Sequence, residues 1–315
     1  MKKQFNKLKK NRNGIVGLII VIVLILAIIG GVIAVFVTRG GPYTLIGETN
    51  YTYAPTTNLN LTLNIVNTAG SIEIEYDDTL TSLMEARLEL WGRSEATIAD
   101  AVNFTSSTAG GKVIISFDSG EVTWKWSDKD AFNQNLFVKI NPDAIAEYSI
   151  ITTAGSTDLD FDSLTESEIR MLDVTVTAGS ITVDFGDNTF LNTSTVSLVS
   201  SAGSISVTSQ DVKFVDDIAW TITTQAGSVD LIIDQVAIPA DNYTATYDVS
   251  TGAGSVELLY TLDESNFGIS ITGQTSLGSI TIPGGGNSYE SSGYASESIK
   301  YIFNLETSAG SISAS

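Results

Sequence analysis

The sequence predicts an all-β fold: a β-solenoid or two-sheet β-roll of about nine strand-corner-strand repeats, preceded by one N-terminal transmembrane helix. Three observations carry this. A short phrase, T-x-A-G-S or close to it, returns nine times; apolar residues alternate with period 2 on both sides of it; and residues 14–37 form an unbroken apolar run.

The phrase places its glycine at Gly70, Gly110, Gly155, Gly179, Gly203, Gly227, Gly254, Gly278 and Gly310, with spacings of 40, 45, 24, 24, 24, 27, 24 and 32 residues. The natural unit is therefore 24 residues, and the longer gaps are units carrying insertions. In LDVTVTAGSITVDF, Leu172, Val174 and Val176 share one face before the phrase, and Ile181, Val183 and Phe185 share one after it. That is a strand, a sharp corner and a second strand, because a helix would need apolar residues every three to four positions. Glycine at the corner admits φ > 0, while the flanking Ala and Ser let neighbouring units approach closely.

A pair of short strands cannot bury its apolar face alone, so the units must share a core by stacking. At ~4.8 Å per layer, nine layers would extend about 40 Å, with the serines after the glycine in one ladder and the Ile/Val residues in another. An immunoglobulin-like sandwich is the competing all-β fold, but it does not repeat one corner sequence at a fixed period.

The N-terminal segment explains where such a domain would sit. Residues 1–39 hold seven basic and no acidic side chains, which leaves 9 basic against 36 acidic residues in the rest, a net of −27. The 24 residues from Gly14 to Val37 would span roughly 36 Å as a helix, enough to cross a hydrocarbon core of ~30 Å. A cleaved signal peptide has a shorter apolar region and a small-x-small site, whereas Val35, Phe36 and Val37 precede Thr38 here. A prepilin-like site at Asn13-Gly14 lacks the Glu expected early in the helix. The reading is an uncleaved signal anchor, with 1–13 a basic cytoplasmic tail, 14–37 the span, 38–59 a stalk and 60–315 an extracellular β-repeat domain. Six basic residues before the span place the N-terminus in the cytoplasm. Sequons at Asn50, Asn60, Asn103, Asn192 and Asn242 would then be glycosylation acceptors on the outer side.

Between Gly70 and Gly155 the simple unit is interrupted. An alternating strand (Met84, Ala86, Leu88, Leu90), a short helix around Ser94–Asn103 and a hairpin at Gly110 are expected there, followed by NLFVKINPDAIAEYSIITTAGS. This order, with V-K-I-N-P-D-A at Val138–Ala144 and the run of T-x-A-G-S strands behind it, resembles the β-strand-repeat family of domains of unknown function described as adhesins. The head-GIN and toast-rack groups, found on membrane-anchored envelope proteins, are related to it. The resemblance covers about residues 60–315 and implies a surface-exposed β-repeat domain without established catalysis.

Composition narrows the chemistry further. With no His and no Cys there can be no Ser-His-Asp triad, Cys nucleophile, Cys/His zinc site or disulfide. A net charge of −20 and a pI near 4.1 repel nucleic acid. Carboxylates are the remaining acids and bases, and the obvious pairs are Asp77-Asp78 and Asp216-Asp217. Neighbours on a strand face opposite sides, so these read as solvated loop acids. No calcium-loop pattern is present, and no catalytic, cofactor or metal site is assigned.

Trp124 and Trp126 alternate onto one face of EVTWKWS, where they fill a core or stack on a sugar ring. Tyr289 and Tyr294 lie in a Gly/Ser-rich insertion, residues 284–298. The expected function is adhesion or cell-envelope and surface-layer contact by a single-pass, non-enzymatic surface protein. The alternatives are a carbohydrate-binding or carbohydrate-active ectodomain using Asp/Glu with the Trp pair, and an envelope-stress sensor subunit. Expected partners are the membrane and surface glycans or envelope proteins. A second copy could also join through the C-terminal end of the stack, where unpaired strand edges would be bare.

Overall fold

A computed structural model describes residues 44–54, 60–92, 102–119, 133–239 and 241–315. The apolar span 14–37, the expected cytoplasmic tail 1–13, residues 94–101 of the short helix expected around Ser94–Asn103, and Trp124 and Trp126 lie outside those residues, while Asn103 itself opens a strand. No helix occurs among the described residues, so none there is long and apolar enough to cross a membrane; strands make up 69% of them. They form two mixed sheets of 11 and 13 strands, and neither closes into a barrel.

Eight of the phrases act as corners, each joining a strand of the larger sheet to a strand of the smaller. In the Gly179 layer these are Ser167–Ala178 and Ile181–Phe185; in the Gly203 layer, Thr195–Ala202 and Ile205–Gln210. Successive layers pair in parallel and in strict register, Ala178 against Ala202 and Ile181 against Ile205. Strand parity then sends every second side chain inward. Leu172, Val174, Val176, Ile181, Val183 and Phe185 are all buried, as alternation predicts. Aromatic rings continue one another between the sheets from Tyr76 through Phe161, Phe185, Trp220 and Tyr247 to Phe303, with centroids 5.0–5.6 Å apart.

The corner is a hydrogen-bonded device repeated along the stack. From Gly155 to Gly310, every corner glycine but Gly278 has φ between +139° and +157°. That conformation turns the glycine N–H and C=O toward the next layer. Gly179 N donates to Ala202 O at 2.9 Å, and Ile181 N to Ser204 O at 3.0 Å. The glycine carbonyl instead faces the next glycine's Cα, where any Cβ would lie less than 3.0 Å from it. A carbonyl shielded in this way needs a donor. It receives one from the hydroxyl three residues before the next glycine: Ser200 to Gly179 O (3.1 Å), Thr224 to Gly203 O (2.8 Å), Thr251 to Gly227 O (2.7 Å) and Thr307 to Gly254 O (2.9 Å). The letters of the phrase thus divide the labour. Thr caps the carbonyl, Ala admits the neighbouring layer, Gly turns the chain and Ser continues the ladder.

Gly110 departs from the expected corner. Gly110 and Gly111, at φ +60° and +80°, form the two-residue turn of an antiparallel hairpin between Asn103–Ala109 and Lys112–Asp118. Two consecutive positive φ values match the twist of a tight hairpin, and a Cβ at Gly110 would meet nothing within 4 Å. The strand after this phrase pairs with Asn60–Ala69 in the larger sheet, where strands that precede a corner lie. Its layer is completed by Asn133–Ile140, parallel to Ile72–Tyr76. No corner phrase occurs in the sequence between Asp118 and Asn133, the stretch that includes Trp124 and Trp126. Within the segment expected to be a stalk, Thr44–Tyr53 is a strand at the edge of the smaller sheet.

Chain order and layer order differ at the far end as well. Lys300–Ala309 and Ile312–Ala314 insert between the Gly254 layer and the Gly278 layer, so the corners run Gly254, Gly310, Gly278.

Replacing Gly203 by Ala should cost about 1–3 kcal/mol from the backbone conformation alone, with more from the overlap on Gly179 O. Gly110→Asn, in a roomy turn that tolerates a left-handed residue, should cost well under ~1 kcal/mol. Urea unfolding midpoints compare the two, and equal costs would remove the close-approach account of the corner.

Candidate interaction surfaces

With the inner faces committed to the core, the residues free to act are the outward positions of the two sheets. Register converts them into rows. On the smaller sheet one row runs Glu73, Asp158, Thr182, Ser206, Asp230, Glu257, and the next runs Glu75, Asp160, Asp184, Thr208, Ile232, Leu259. Adjacent members are separated by one strand spacing, roughly 4.8 Å. Glu75, Asp160 and Asp184 therefore form three like charges in succession, while the same row ends in exposed Ile232 and Leu259.

The electrostatics follow the rows. Partial burial raises the Asp158 carboxyl above the usual range, and Asp184 and Asp160 raise it further. Asp162 is raised by the same desolvation, then by Asp160, Asp187 and Asp78. Lys139 relieves one end of this field, reaching Glu75 at 2.9 Å and Asp77 at 2.8 Å. Its hydrogen bond, with those from Thr79, holds Asp77 down to about 2. Arg87 lies 4.2 Å from the Phe137 ring centroid and pairs with Glu89. A groove of about 340 Å³ beside these residues is lined by Tyr51, Glu73, Glu75, Glu85, Arg87 and Lys139.

The larger sheet presents a more neutral face. Toward the Gly278 layer its outward residues make a hydrogen-bonded row: Thr272 Oγ1 donates to Asn304 Oδ1 at 2.9 Å, and Asn304 Nδ2 to Asp248 Oδ1 at 2.7 Å. Thr223 and Ser250 hydroxyls lie 3.0 Å apart beside it. These groups line a groove of about 440 Å³. Hydroxyls, amides and a carboxylate at fixed spacing can exchange hydrogen bonds with a hydroxyl-rich ligand, but they include no nucleophile held by a base.

The acid pairs singled out from sequence are not brought together as dyads. Asp77 serves Lys139 and Thr79. Asp78 accepts Leu164 N, Thr165 N and the Thr165 hydroxyl, which fastens the loop after Phe161. Asp217 accepts Thr244 N at 2.7 Å. Among the described residues no group of three acidic side chains is arranged to hold a metal ion. Of the sequon asparagines, Asn50, Asn103, Asn192 and Asn242 are exposed, while Asn60 is half-buried.

Sequence reading missed Asp211, which adopts φ +46° and accepts the N–H groups of Val236 and Ala237 at 2.7 Å each. A lone Asp between strands, a residue that tolerates the left-handed region, is the one local signal for it. It also missed the buried link from Tyr243 to Tyr301 (2.8 Å) and on to Gln235 (3.3 Å), which spans three layers and has no local signature.

Fold and surfaces together define an all-β repeat protein that offers extended sheet faces. No protein-family model matches the chain, and no curated protein does. Among solved structures it is similar to a candidate cell adhesion protein from Clostridium sporogenes, 13% identical, with a TM-score of 0.40 over 85% of this chain and 98% of that one. A candidate lipid-binding protein from Parabacteroides distasonis is 11% identical with a TM-score of 0.39 over 85% and 96%. A candidate adhesin from Bacteroides fragilis is 9% identical with a TM-score of 0.29 over 85% and 97%. Likenesses at this level carry nothing about function.

The raised Asp158 and Asp162 carboxyls hold protons more firmly folded than unfolded, so their ionisation at neutral pH opposes folding, and the penalty fades as pH falls into the carboxylate range. Asp77, held down to about 2, acts oppositely: its contribution is full above the unfolded value of about 3.9 and is lost as pH falls from there toward 2. The thermal midpoint should therefore rise on mild acidification from pH 7. Asp184→Asn should raise the stability at pH 7 by tenths of a kcal/mol, raising the midpoint there and flattening its rise on acidification. An unchanged pH profile in Asp184→Asn would remove the acidic row as its cause.

Proposed function

We propose that this is a single-pass surface protein, anchored by residues 14–37 with residues 38–315 outside the cell, whose β-solenoid or two-sheet β-roll ectodomain mediates adhesion or cell-envelope and surface-layer contacts. One observation carries the reading. Corner and core are committed layer after layer, while the outward rows vary freely from acidic (Glu75, Asp160, Asp184) to polar to apolar (Ile232, Leu259). A scaffold of that kind presents a broad, laterally fixed surface, as recognition between macromolecules requires, in place of one concave catalytic site. The acidic excess favours solubility and selects for basic or cation-bridged partners. Exposed Asn50, Asn103, Asn192 and Asn242 are the sequons best placed for glycosylation.

A second reading, binding of surface glycans, is favoured by the Thr272–Asn304–Asp248 row and its groove. In that reading Trp124 and Trp126 supply stacking faces, and a carbohydrate-active variant would use an acid nearby. A third reading, an envelope-stress sensor subunit, would pass its signal through partners in the membrane.

Protease added to intact cells should digest the chain beyond about Thr38 and leave a short membrane-bound remnant; full protection would overturn the outward orientation. Cells displaying the chain should adhere to their substratum more than cells lacking it, and Asn304→Ala should abolish retention on a glycan array if the groove binds sugar. Turnover of a polysaccharide, lost on changing one acid, would replace the adhesive reading with a catalytic one.

A further inference from the structure

The last layer of the stack is not built by the last residues of the chain. With Lys300–Ala314 inserted one layer inward, the terminal layer consists of Gly268–Leu277 and Ile280–Thr281. The first part of its outer edge is covered by the chain's own insertion. Ser288–Glu290 pairs antiparallel with Ser270–Thr272, Ser291 N donates to Ile269 O, and Gly273 N donates to Asn287 O, both at 2.9 Å. From Gln274 to Thr281 no strand of the described residues covers the edge.

The groups left there follow from the corner geometry. In the Gly155, Gly179, Gly203, Gly227, Gly254 and Gly310 layers, the glycine N–H and the N–H two residues on donate to the next layer. The glycine carbonyl points the same way. Gly310 N donates to Leu277 O and Ile312 N to Ser279 O, so across these trans peptides the Gly278 and Ile280 N–H groups point away from the Gly310 layer, with no layer beyond them among the described residues. Two donors, at Gly278 and Ile280, therefore face outward from a strand edge, a template for another extended backbone.

Three features say what that backbone is. Leu277 stands where the other corners have Ala69, Ala154, Ala178, Ala202, Ala226, Ala253 and Ala309, and it is 62% exposed. An apolar side chain at the rim of an unpaired edge gains by meeting another apolar group. Next, no charged residue occurs between Glu264 and Glu290 in a chain of net charge −20, so the edge strand itself sets no like charges against each other, the nearest on the sheet being Glu306, one strand inward beside Gln274. Finally, among the described residues the other end of the stack carries no corner: its outermost strands are Thr44–Tyr53 in one sheet and Asn103–Ala109 in the other, and the phrase at Gly110 closes a hairpin there. It cannot continue the corner head to tail, whereas the same edge can pair with itself about a two-fold axis.

We propose that a second copy of this chain docks on the Gln274–Thr281 edge, edge against edge and antiparallel, with the two Leu277 side chains packed across the axis and the free Gly278 and Ile280 N–H groups satisfied by the partner strand. The inference is independent of what the outer faces bind.

The absence of cysteine gives a direct test on the full chain in detergent micelles. Ser276→Cys, beside the axis, should form a disulfide-linked dimer under copper-phenanthroline, and Asn192→Cys, exposed on a distant loop, should not. Adding Leu277→Asp to Ser276→Cys should cut the cross-linked fraction by about tenfold or more. The far-UV circular dichroism should not change, because Leu277 is exposed. Sedimentation should show a dimer that Leu277→Asp converts to monomer. Equal cross-linking of both single-cysteine variants, a dimer that survives Leu277→Asp, or a wild-type monomer throughout would overturn the proposal. Cross-linking of Ser276→Cys on intact cells to a different chain only would assign the edge to another protein's strand and also overturn self-pairing.

Discussion

The architecture depends on one close approach: the carbonyl oxygen of each corner glycine set directly against the Cα of the next. Nothing larger than hydrogen fits between them. The approach exists because the glycine sits in a region of φ that reverses its peptide, and the reversed peptide keeps the N–H ladder running through the bend. Its cost is a partly buried carbonyl without a backbone donor, and the Thr or Ser hydroxyl of the following layer meets that need. Where Val176 takes the hydroxyl position no such donor reaches Gly155, and the Thr152 and Thr157 hydroxyls bond each other in that layer instead. Asn67 supplies an amide in the same role, donating both to Gly70 O and to Gln134 O at the layer below.

Once the corners are in register, the remainder of the cross-section has little freedom. Strand parity places the aliphatic rows and the aromatic series between the sheets, and it places every other residue in water. Two opposite tendencies meet on the outer faces. Strict register stacks identical positions, so acids repeated from unit to unit become neighbours, as Glu75, Asp160 and Asp184 do, and their mutual repulsion is carried by the cohesion of the core. Register equally lets Lys139 sit between two acids and Asn304 between Thr272 and Asp248. The same regularity that makes a broad surface also leaves edges at both ends of each sheet, and the chain covers them unevenly, with antiparallel additions at one end and a partial flap at the other.

Much of this was legible from residues alone. The corner glycines were visible because tiny side chains recur at a fixed interval, and the core was visible because alternation of period 2 is a local property. Gly110 shows the limit. Its phrase matches the others closely, but a second glycine follows in place of serine, and two positive φ values in succession close a hairpin. Thr44–Tyr53 shows another: its alternation is weak, and only the exposed edge beside Met84–Gly92 makes it a strand. The link from Tyr243 through Tyr301 to Gln235 joins residues more than fifty positions apart, which no window of sequence contains.

By itself, then, the sequence determined which residues turn, which point inward and that the units repeat, because backbone conformation and strand parity are set over a few neighbouring residues. Which layer lies beside which was decided only by the tertiary structure. Every parallel edge offers the same spacing of N–H and C=O groups, so hydrogen bonding does not tell one layer from another. The placement of Gly310 before Gly278, and of the strands Lys112–Asp118 and Asn133–Ile140 beneath Gly70, rests instead on the fit of core side chains and the reach of the connecting loops.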